Sequence, residues 1–402
     1  MNRQEIIKSC IEMGNTPFYL FDLDRFRERI QKIKSILEEK VSLCYAMKAN
    51  PFLILPALEE VDRLEVCSPG EFSICKEHQI PMENIVLSGV YKEEKDVENV
   101  LRYGNGRGVY TVESLGQFQL LEREARKYNL CISVLLRLTS GNQFGMDEQM
   151  IRELIRERET FPHVKILGLQ YYSGTQKKRQ KVLEEEILRL DVLLKDLREQ
   201  YDFQAEELEY GPGFYVSYFQ KEEEEQVTEA MEDFRGLLEE MEFSGKITLE
   251  IGRYLAAECG VYVTRIVDVK ENQGQRYGIA DGGIHHLNYY GQTMAMKVPW
   301  YMQLDGETGE EKQEGKESPV TICGALCTVS DVLVKNLPLK GNILGDFLVF
   351  ERAGAYSVTE GIYLFLSRDL PAIYFNSREK GIELIRDIIP SSQLNMRRRN
   401  RK

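Results

Sequence analysis

SLCYAMKANPFLILPALEE, residues 42–60, carries the reading of the fold in its first seven residues. Leu43, Tyr45 and Met47 alternate with Ser42, Cys44 and Ala46, the period of a strand. Lys48 follows at once, then the turn signal Ala49-Asn50-Pro51 and a helical segment. An apolar strand that ends on a lysine has two readings. Lysine is rarely buried, so a strand end at the surface is a plain place for it. A lysine held at the mouth of a barrel is instead a nucleophile for imine chemistry.

The flanking sequence separates the two. Strand patterns fall at 42–48, 63–68, 84–89, 108–112, 131–138, 164–172, 206–211 and 247–252, with amphipathic helices between them. In the helix expected over 222–241, Val227, Met231, Phe234, Leu237 and Leu238 share one face. A helix over 23–40, with Asp22 as its N-cap, puts Phe26, Ile30, Ile33 and Leu37 on one side. Eight strands each followed by a helix make a (β/α)8 barrel, expected over residues 24–257. After Glu258 the strands lose their long helices, as in CGVYVTRIVDVKE, RYGIADGG, PVTICGAL and DFLVFERAGAY. Residues 258–402, joined by a strand from TPFYLFDL within 1–23, read as a mostly antiparallel β domain. The stretch 304–318 reads as a polar, mobile loop, and the tail MRRRNRK as disordered.

Composition excludes several classes. A net charge of −13 argues against nucleic acid as a partner. No apolar run reaches the length of a membrane span, and the N-terminal residues lack the pattern of a signal peptide. Eight cysteines without C-x-x-C pairs point to reduced thiols and a cytoplasmic protein. Four histidines are too few for a common His-rich metal site, so no metal is expected.

Barrel active sites sit at the C-terminal strand ends. Lys48, Ser68, Arg137 and Tyr172 fall there, and the last two strands run into Gly211-Pro212-Gly213 and Glu250-Ile251-Gly252-Arg253. Loops after the last two strands of this fold commonly cradle phosphate, and glycine lets backbone amides approach an anion. A lysine, a carboxylate, an arginine and a glycine-rich phosphate site are what a phosphorylated aldehyde held as an imine requires.

YAMKAN, EVCSPGEF, FGMD, GLQYYSGTQ, GPGF, EIGR, ADGG, GALCTVSD and GAY, in that order, resemble the fold-type III pyridoxal phosphate decarboxylases. That group includes the diaminopimelate and ornithine decarboxylases and has an alanine racemase-like barrel. QFGMDE, YSGTQ, GRYLAAECGVYVT and CTVSD are more similar to the butirosin-type subgroup, which acts on glutamate tethered to an acyl carrier protein. The resemblance implies pyridoxal 5′-phosphate as cofactor and assigns roles. Lys48 would bond the cofactor, and Glu250 would pair with its pyridine nitrogen. Gly211, Gly213, Gly252 and Arg253 would surround the phosphate, with Thr175 and Tyr356 donating hydroxyls. Arg137 would lie under the ring and Tyr172 would stack on it. Cys327 would reach the partner subunit's site and protonate the substrate carbon after carbon dioxide leaves, which makes a homodimer with shared sites part of the mechanism.

Departures from the family pattern bear on substrate. The acidic residue after the cysteine is here Thr328, which cannot hold a distal ammonium by charge, although Asp331 remains nearby in sequence. The Arg-Pro segment that follows DGG in diaminopimelate enzymes is replaced by IHHLNYYGQTMAMK, without arginine. Arg253, Thr328 and Asp331 are the expected substrate contacts. The stacking histidine is Tyr172, the central glycine of the phosphate loop is Pro212, and the proline of EPGR is Ile251. The leading expectation is therefore a decarboxylase of an amino acid that is carrier-linked or otherwise modified at its distal end. The alternatives are a decarboxylase of a free amino acid of the diaminopimelate, ornithine or lysine type, a non-catalytic regulatory relative, and, more weakly, a racemase. An acyl carrier protein, itself acidic, would need a basic patch. KKRQK (177–181) and the arginine-rich tail are the two candidates.

Overall fold

The computed structural model describes residues 3–38, 41–223 and 226–397. They form two compact units. One holds the described residues of 29–216 and 225–254, the other those of 1–28, 217–224 and 255–402. Segment 217–224, inside the barrel range by sequence, belongs to the second unit, where Gln220 N–H donates to the Val298 carbonyl at 3.0 Å.

The N-terminal strand β1 (Phe18–Asp22) belongs to the second unit. The barrel unit follows with β2 (Val41–Ala46), β3 (Arg63–Val66), β4 (Ile85–Leu87), β5 (Val109–Val112), β6 (Ile132–Leu138), β7 (Val164–Tyr172), β8 (Glu207–Gly211) and β9 (Lys246–Ile251). These eight strands close in order, all parallel, with β2 paired to β9. Burial on both faces explains their near-continuous apolar runs. Cys44, Val86, Val109, Leu135 and Leu167, from β2, β4, β5, β6 and β7, form a buried cluster. The turns out of the strands reuse one device, a short polar N-cap. Ser68 accepts from Glu71 N–H, Ser114 from Gln117 N–H, and Asp147 from Met150 N–H, at 3.1, 3.1 and 2.9 Å. Asp22 caps the helix Leu23–Leu37 in the same way through Arg25 N–H.

The second unit is a mixed sheet. Its strands are β1, β10 (Gly260–Asn272), β11 (Gln275–Ala280), β12 (Tyr301–Leu304), β13 (Glu317–Cys323), β14 (Val332–Lys340), β15 (Phe347–Phe350), β16 (Ala372–Ser377) and β17 (Gly381–Arg386). Most pairs are antiparallel, whereas β1 runs parallel to β16 and β11 to β13. The helix Arg3–Met13, which the sequence reading did not anticipate, buries Ile6, Ile7 and Cys10 against Phe18, Leu20, Val261 and Val349. The polar stretch 304–318 is tied down rather than loose. Asp305 Oδ1 accepts from Glu307 and Thr308 N–H, and Lys312 pairs with Asp346 at 2.8 Å. The residues of the basic tail from Arg398 lie outside the described residues.

Candidate active site

Lys48 does not lie on the strand itself. It occupies a single 3-10 turn, Met47–Ala49, immediately beyond β2. Its side chain is 38 % exposed, while the two carboxylates that hold it are almost fully buried. Nζ lies 2.6 Å from Glu65 Oε2 and 3.2 Å from Glu250 Oε1, with Cys67 Sγ at 3.9 Å. Glu65 comes from β3 and Glu250 from β9, the two neighbours of β2. Cys67 donates to Glu65 Oε1 at 3.0 Å, and Gln170 of β7 donates to Glu250 Oε2 at 3.0 Å.

The two carboxylates are pushed apart in acidity. Burial opposes ionisation of Glu65, but the Lys48 charge and the hydrogen bonds from Cys67 and Lys48 outweigh it and hold its pKa below the ordinary value. Burial, with the Glu65 charge next, pushes Glu250 up to about 7. Glu65 therefore carries the negative charge opposite Lys48, and Glu250 is poised to exchange a proton near neutral pH. Glu209 of β8 is fully buried, neither of its oxygens has a protein partner, and burial raises its pKa well above the ordinary value.

Three loops meet at the exits of β7, β8 and β9. Gly213 has φ +63°, and a Cβ there would collide with the Gly174 carbonyl. A Cβ at Gly211 would meet the Tyr172 ring at 2.6 Å. Gly252 is closed in by Ala46 and Ala49. Arg253 Nε donates to Thr175 Oγ1 at 3.3 Å, so the sequence-selected Thr175, Gly213 and Arg253 belong to one constellation. Arg137 forms an ion pair with Glu113 at 3.0 Å and lies over the Phe144 ring at 4.9 Å.

Sequence reasoning missed Glu65, Cys67, Gln170 and Lys92. The strand pattern RLEVCS did flag the place of the first two, because Glu65 interrupts an apolar run. Lys92 donates to the Gly89 carbonyl at 2.7 Å and to Gln117 Oε1 at 3.2 Å, and burial pulls its pKa down to about 8.

Cys327, Thr328, Asp331 and Tyr356 belong to the second unit. Cys327 is exposed and Val329, two residues on, is 100 % exposed. Tyr356 has φ +66°, which is unusual for a bulky residue and typical of functional sites. Asp331 corrects an expectation. It is 2 % exposed, and its two oxygens accept from Ile284 N–H at 2.9 Å and Leu326 N–H at 2.7 Å. Gly283 and Gly324 pack against the same carboxylate. Both oxygens are thus engaged in bracing the DGGIHH and GALCTV loops. Lys177 corrects another. Its side chain is 8 % exposed and pairs with Glu186 at 2.7 Å, so it forms no part of a surface patch, whereas Lys178, Arg179 and Lys181 are exposed.

The model of the pyridoxal-dependent decarboxylases, for their pyridoxal binding domain, matches residues 23–257, more than half of the chain. The chain belongs to this family. It is 28 % identical, over 95 % of its length and 94 % of the relative's, to an L-glutamyl BtrI acyl-carrier-protein decarboxylase of Niallia circulans. It is 26 % identical, over 90 % and 94 %, to the 2-((L-alanin-3-ylcarbamoyl)methyl)-2-hydroxybutanedioate decarboxylase of Staphylococcus aureus (strain NCTC 8325 / PS 47). Its fold is that of the diaminopimelate decarboxylase of Helicobacter pylori solved with L-lysine. That match has a TM-score of 0.84 and 22 % identity, over 96 % of this chain and 98 % of that one. Among the described residues, no helix is long and apolar enough to cross a membrane.

The barrel mouth fits the family's cofactor, pyridoxal 5′-phosphate. It offers an accessible primary amine and a carboxyl of near-neutral pKa beside it. It also offers a backbone cradle that a Cβ would fill, and buried polar atoms without protein partners at Gln170 Oε1, Glu113 Oε2 and Arg137 Nε.

Proposed function

We propose that this protein removes the α-carboxyl group of an amino acid whose distal end is joined through an acyl linkage to a larger group. The observation that carries the substrate part is the second unit's recognition loop. Its one carboxylate, Asp331, is buried on backbone amides, and Thr328 carries no charge. A loop whose carboxylate is already engaged by two backbone amides gives a distal ammonium a weaker anchor than a free acidic side chain beside Cys327 would. Beside Cys327 runs a groove of about 1000 Å3, lined in part by Lys270, Lys335 and Arg368 together with Asp268 and Asp331, with room for more than a free amino acid. The substrates named for the two relatives are both amino acids joined through an acyl bond to something larger.

Each residue has a defined task in this reading. Lys48, steadied by Glu65 and Glu250, would hold the cofactor at its aldehyde end. Glu250 would pair with the ring nitrogen. The amides of 174–175, 211–213 and 252–253 would hold the phosphate, Pro212 offering none. When bound, the cofactor supplies an electron sink for the pair released as carbon dioxide departs. Cys327 donates the proton that replaces the carboxyl group. Its exposure supports a homodimer in which each Cys327 serves the other subunit's barrel. Mixing Lys48→Ala with Cys327→Ala protein should then restore about a quarter of wild-type activity, because half of the dimers are mixed and each carries one intact site. No recovery on mixing would contradict shared sites. A cytoplasmic location is consistent with the free thiols.

Carbon dioxide release tests the substrate. The panel is free diaminopimelate, ornithine, lysine, arginine and glutamate against carrier-bound glutamyl thioester and N3-acylated diaminopropionate. Turnover of an acyl-extended substrate with silence on the free ones is expected. Rapid turnover of a free amino acid would refute the proposal.

A further inference from the structure

The helix Gln180–Tyr201 docks with an apolar stripe of Leu183, Ile187, Leu190, Leu193, Leu194 and Leu197, all buried. Glu186 falls inside this stripe, at a position where the helical period calls for another apolar residue. Its side chain is 11 % exposed, and burying a carboxylate there is unfavourable unless it is paired. The partners account for it. Ser173 Oγ donates to Oε1, Lys177 Nζ to Oε2 at 2.7 Å, and Tyr210 OH to the same Oε2 at 2.6 Å. Ser173 opens the loop after β7 and Lys177 lies within it, and Tyr210 is the residue before Gly211 on β8.

Between Ser173 and Lys177 lie Gly174, Thr175 and Gln176. Gln176 has φ +61° and exchanges two hydrogen bonds with the Val216 backbone, at 2.8 and 2.9 Å. Lys177 N–H donates to the Gly213 carbonyl at 2.9 Å. One buried carboxylate thus ties the base of two of the three loops that form the glycine cradle. The need for such a tie is local. Pro212 removes an amide from the middle of the β8 loop, so the remaining amides must be held in register for an anion to gain from them.

We infer that Glu186 is a positioning residue for the cofactor's phosphate, acting through Ser173, Lys177 and Tyr210 to hold the loops after β7 and β8 in binding geometry. The inference rests on the assignment of the barrel mouth as a pyridoxal phosphate site, and it adds a residue that touches neither cofactor nor substrate.

Titration of the apoprotein with pyridoxal 5′-phosphate and, separately, with phosphate-free pyridoxal tests it, read by the absorbance of the lysine-bound chromophore. Ser173→Ala and Tyr210→Phe each remove one hydrogen bond and leave the ion pair. Each should raise the Kd for pyridoxal phosphate about ten-fold, the value of one hydrogen bond to a charged group. Glu186→Gln should raise it more. The Lys177→Met/Glu186→Leu double variant removes both charges without stranding either, and keeps the test open where Glu186→Gln fails to fold. In every folded variant the Kd for pyridoxal should stay within about two-fold of wild type, so the preference for the phosphorylated form shrinks. A merely structural role would weaken both ligands together. That result, or an unchanged preference in all four variants, would overturn the inference. A wild-type protein that develops no chromophore with either ligand would instead refute the cofactor assignment itself.

Discussion

Replacing Asp331 by asparagine separates a brace from a substrate handle. Each carboxylate oxygen accepts one backbone amide, from Ile284 and from Leu326, within a site that is 2 % exposed and walled by Gly283 and Gly324. Asparagine keeps the shape but has one acceptor. Whichever way the amide turns, its NH2 faces a backbone N–H, leaving two donors opposed. One charge-assisted bond is lost and a buried donor is left unsatisfied, together about 2–4 kcal/mol. For a unit of this size that lowers Tm by about 5–15 °C. Thermal unfolding followed by circular dichroism measures the shift, and steady-state kinetics on the free amino acids supplies the second readout. The brace account expects a large drop in Tm and no selective change in KM for any diamino acid. An unchanged Tm with a raised KM for diaminopimelate, ornithine or lysine would refute it and restore Asp331 as the reader of a distal ammonium.

Other expectations follow from the same geometry. His285 and His286 are buried, with ring centroids 3.8 Å apart, and burial pulls their pKa values down to about 4 and about 3. The unfolded chain takes up protons as pH falls below about 6.5, while the folded chain resists until pH 4 or below. Stability is therefore complete above pH 6.5 and is lost progressively down to about pH 3–4, by about 3–8 kcal/mol for the pair. Denaturant unfolding at pH 7 and pH 5 should show the loss, and His285→Asn should flatten it. Equal stability at both pH values would contradict the assignment of neutral buried rings. Gly213→Ala sets a left-handed residue and a collision with the Gly174 carbonyl against each other, a strain of about 2–4 kcal/mol. It should weaken pyridoxal phosphate binding by at least about ten-fold, and wild-type affinity in a titration would show that the cradle lies elsewhere.

The barrel was legible because its signal is repetitive. Eight apolar runs alternating with amphipathic helices leave few other topologies, and the strand at 18–22 announced itself by the bulky apolar run Phe18, Tyr19, Leu20 and Phe21 between Pro17 and Asp22. The helix Arg3–Met13 was not legible, since three buried residues in eleven give a weak period. Lys48, Thr175, Gly213, Glu250 and Arg253 stood out by motif and position, and all fall at the exits of barrel strands. Gln170 did not, and Glu65 marked only a break in an apolar run, because a polar residue inside a strand has no sequence mark that separates a site contact from a surface position. Lys177 and Asp331 misled for the opposite reason. Charge in a loop reads as exposure, but Glu186 draws the first inward and two backbone amides draw the second. A partner nine residues away or in another loop is a property of the fold, not of the local pattern.

The central claim is that Lys48 anchors the cofactor. Reducing the yellow holoprotein with borohydride fixes the cofactor to the amine that holds it, and peptide mass mapping then locates the label. The account predicts a phosphopyridoxyl group on Lys48 and its loss, with the colour, in Lys48→Ala. A label on Lys92, a lysine of the barrel unit whose pKa burial pulls down to about 8, or a colour that survives Lys48→Ala, would contradict it.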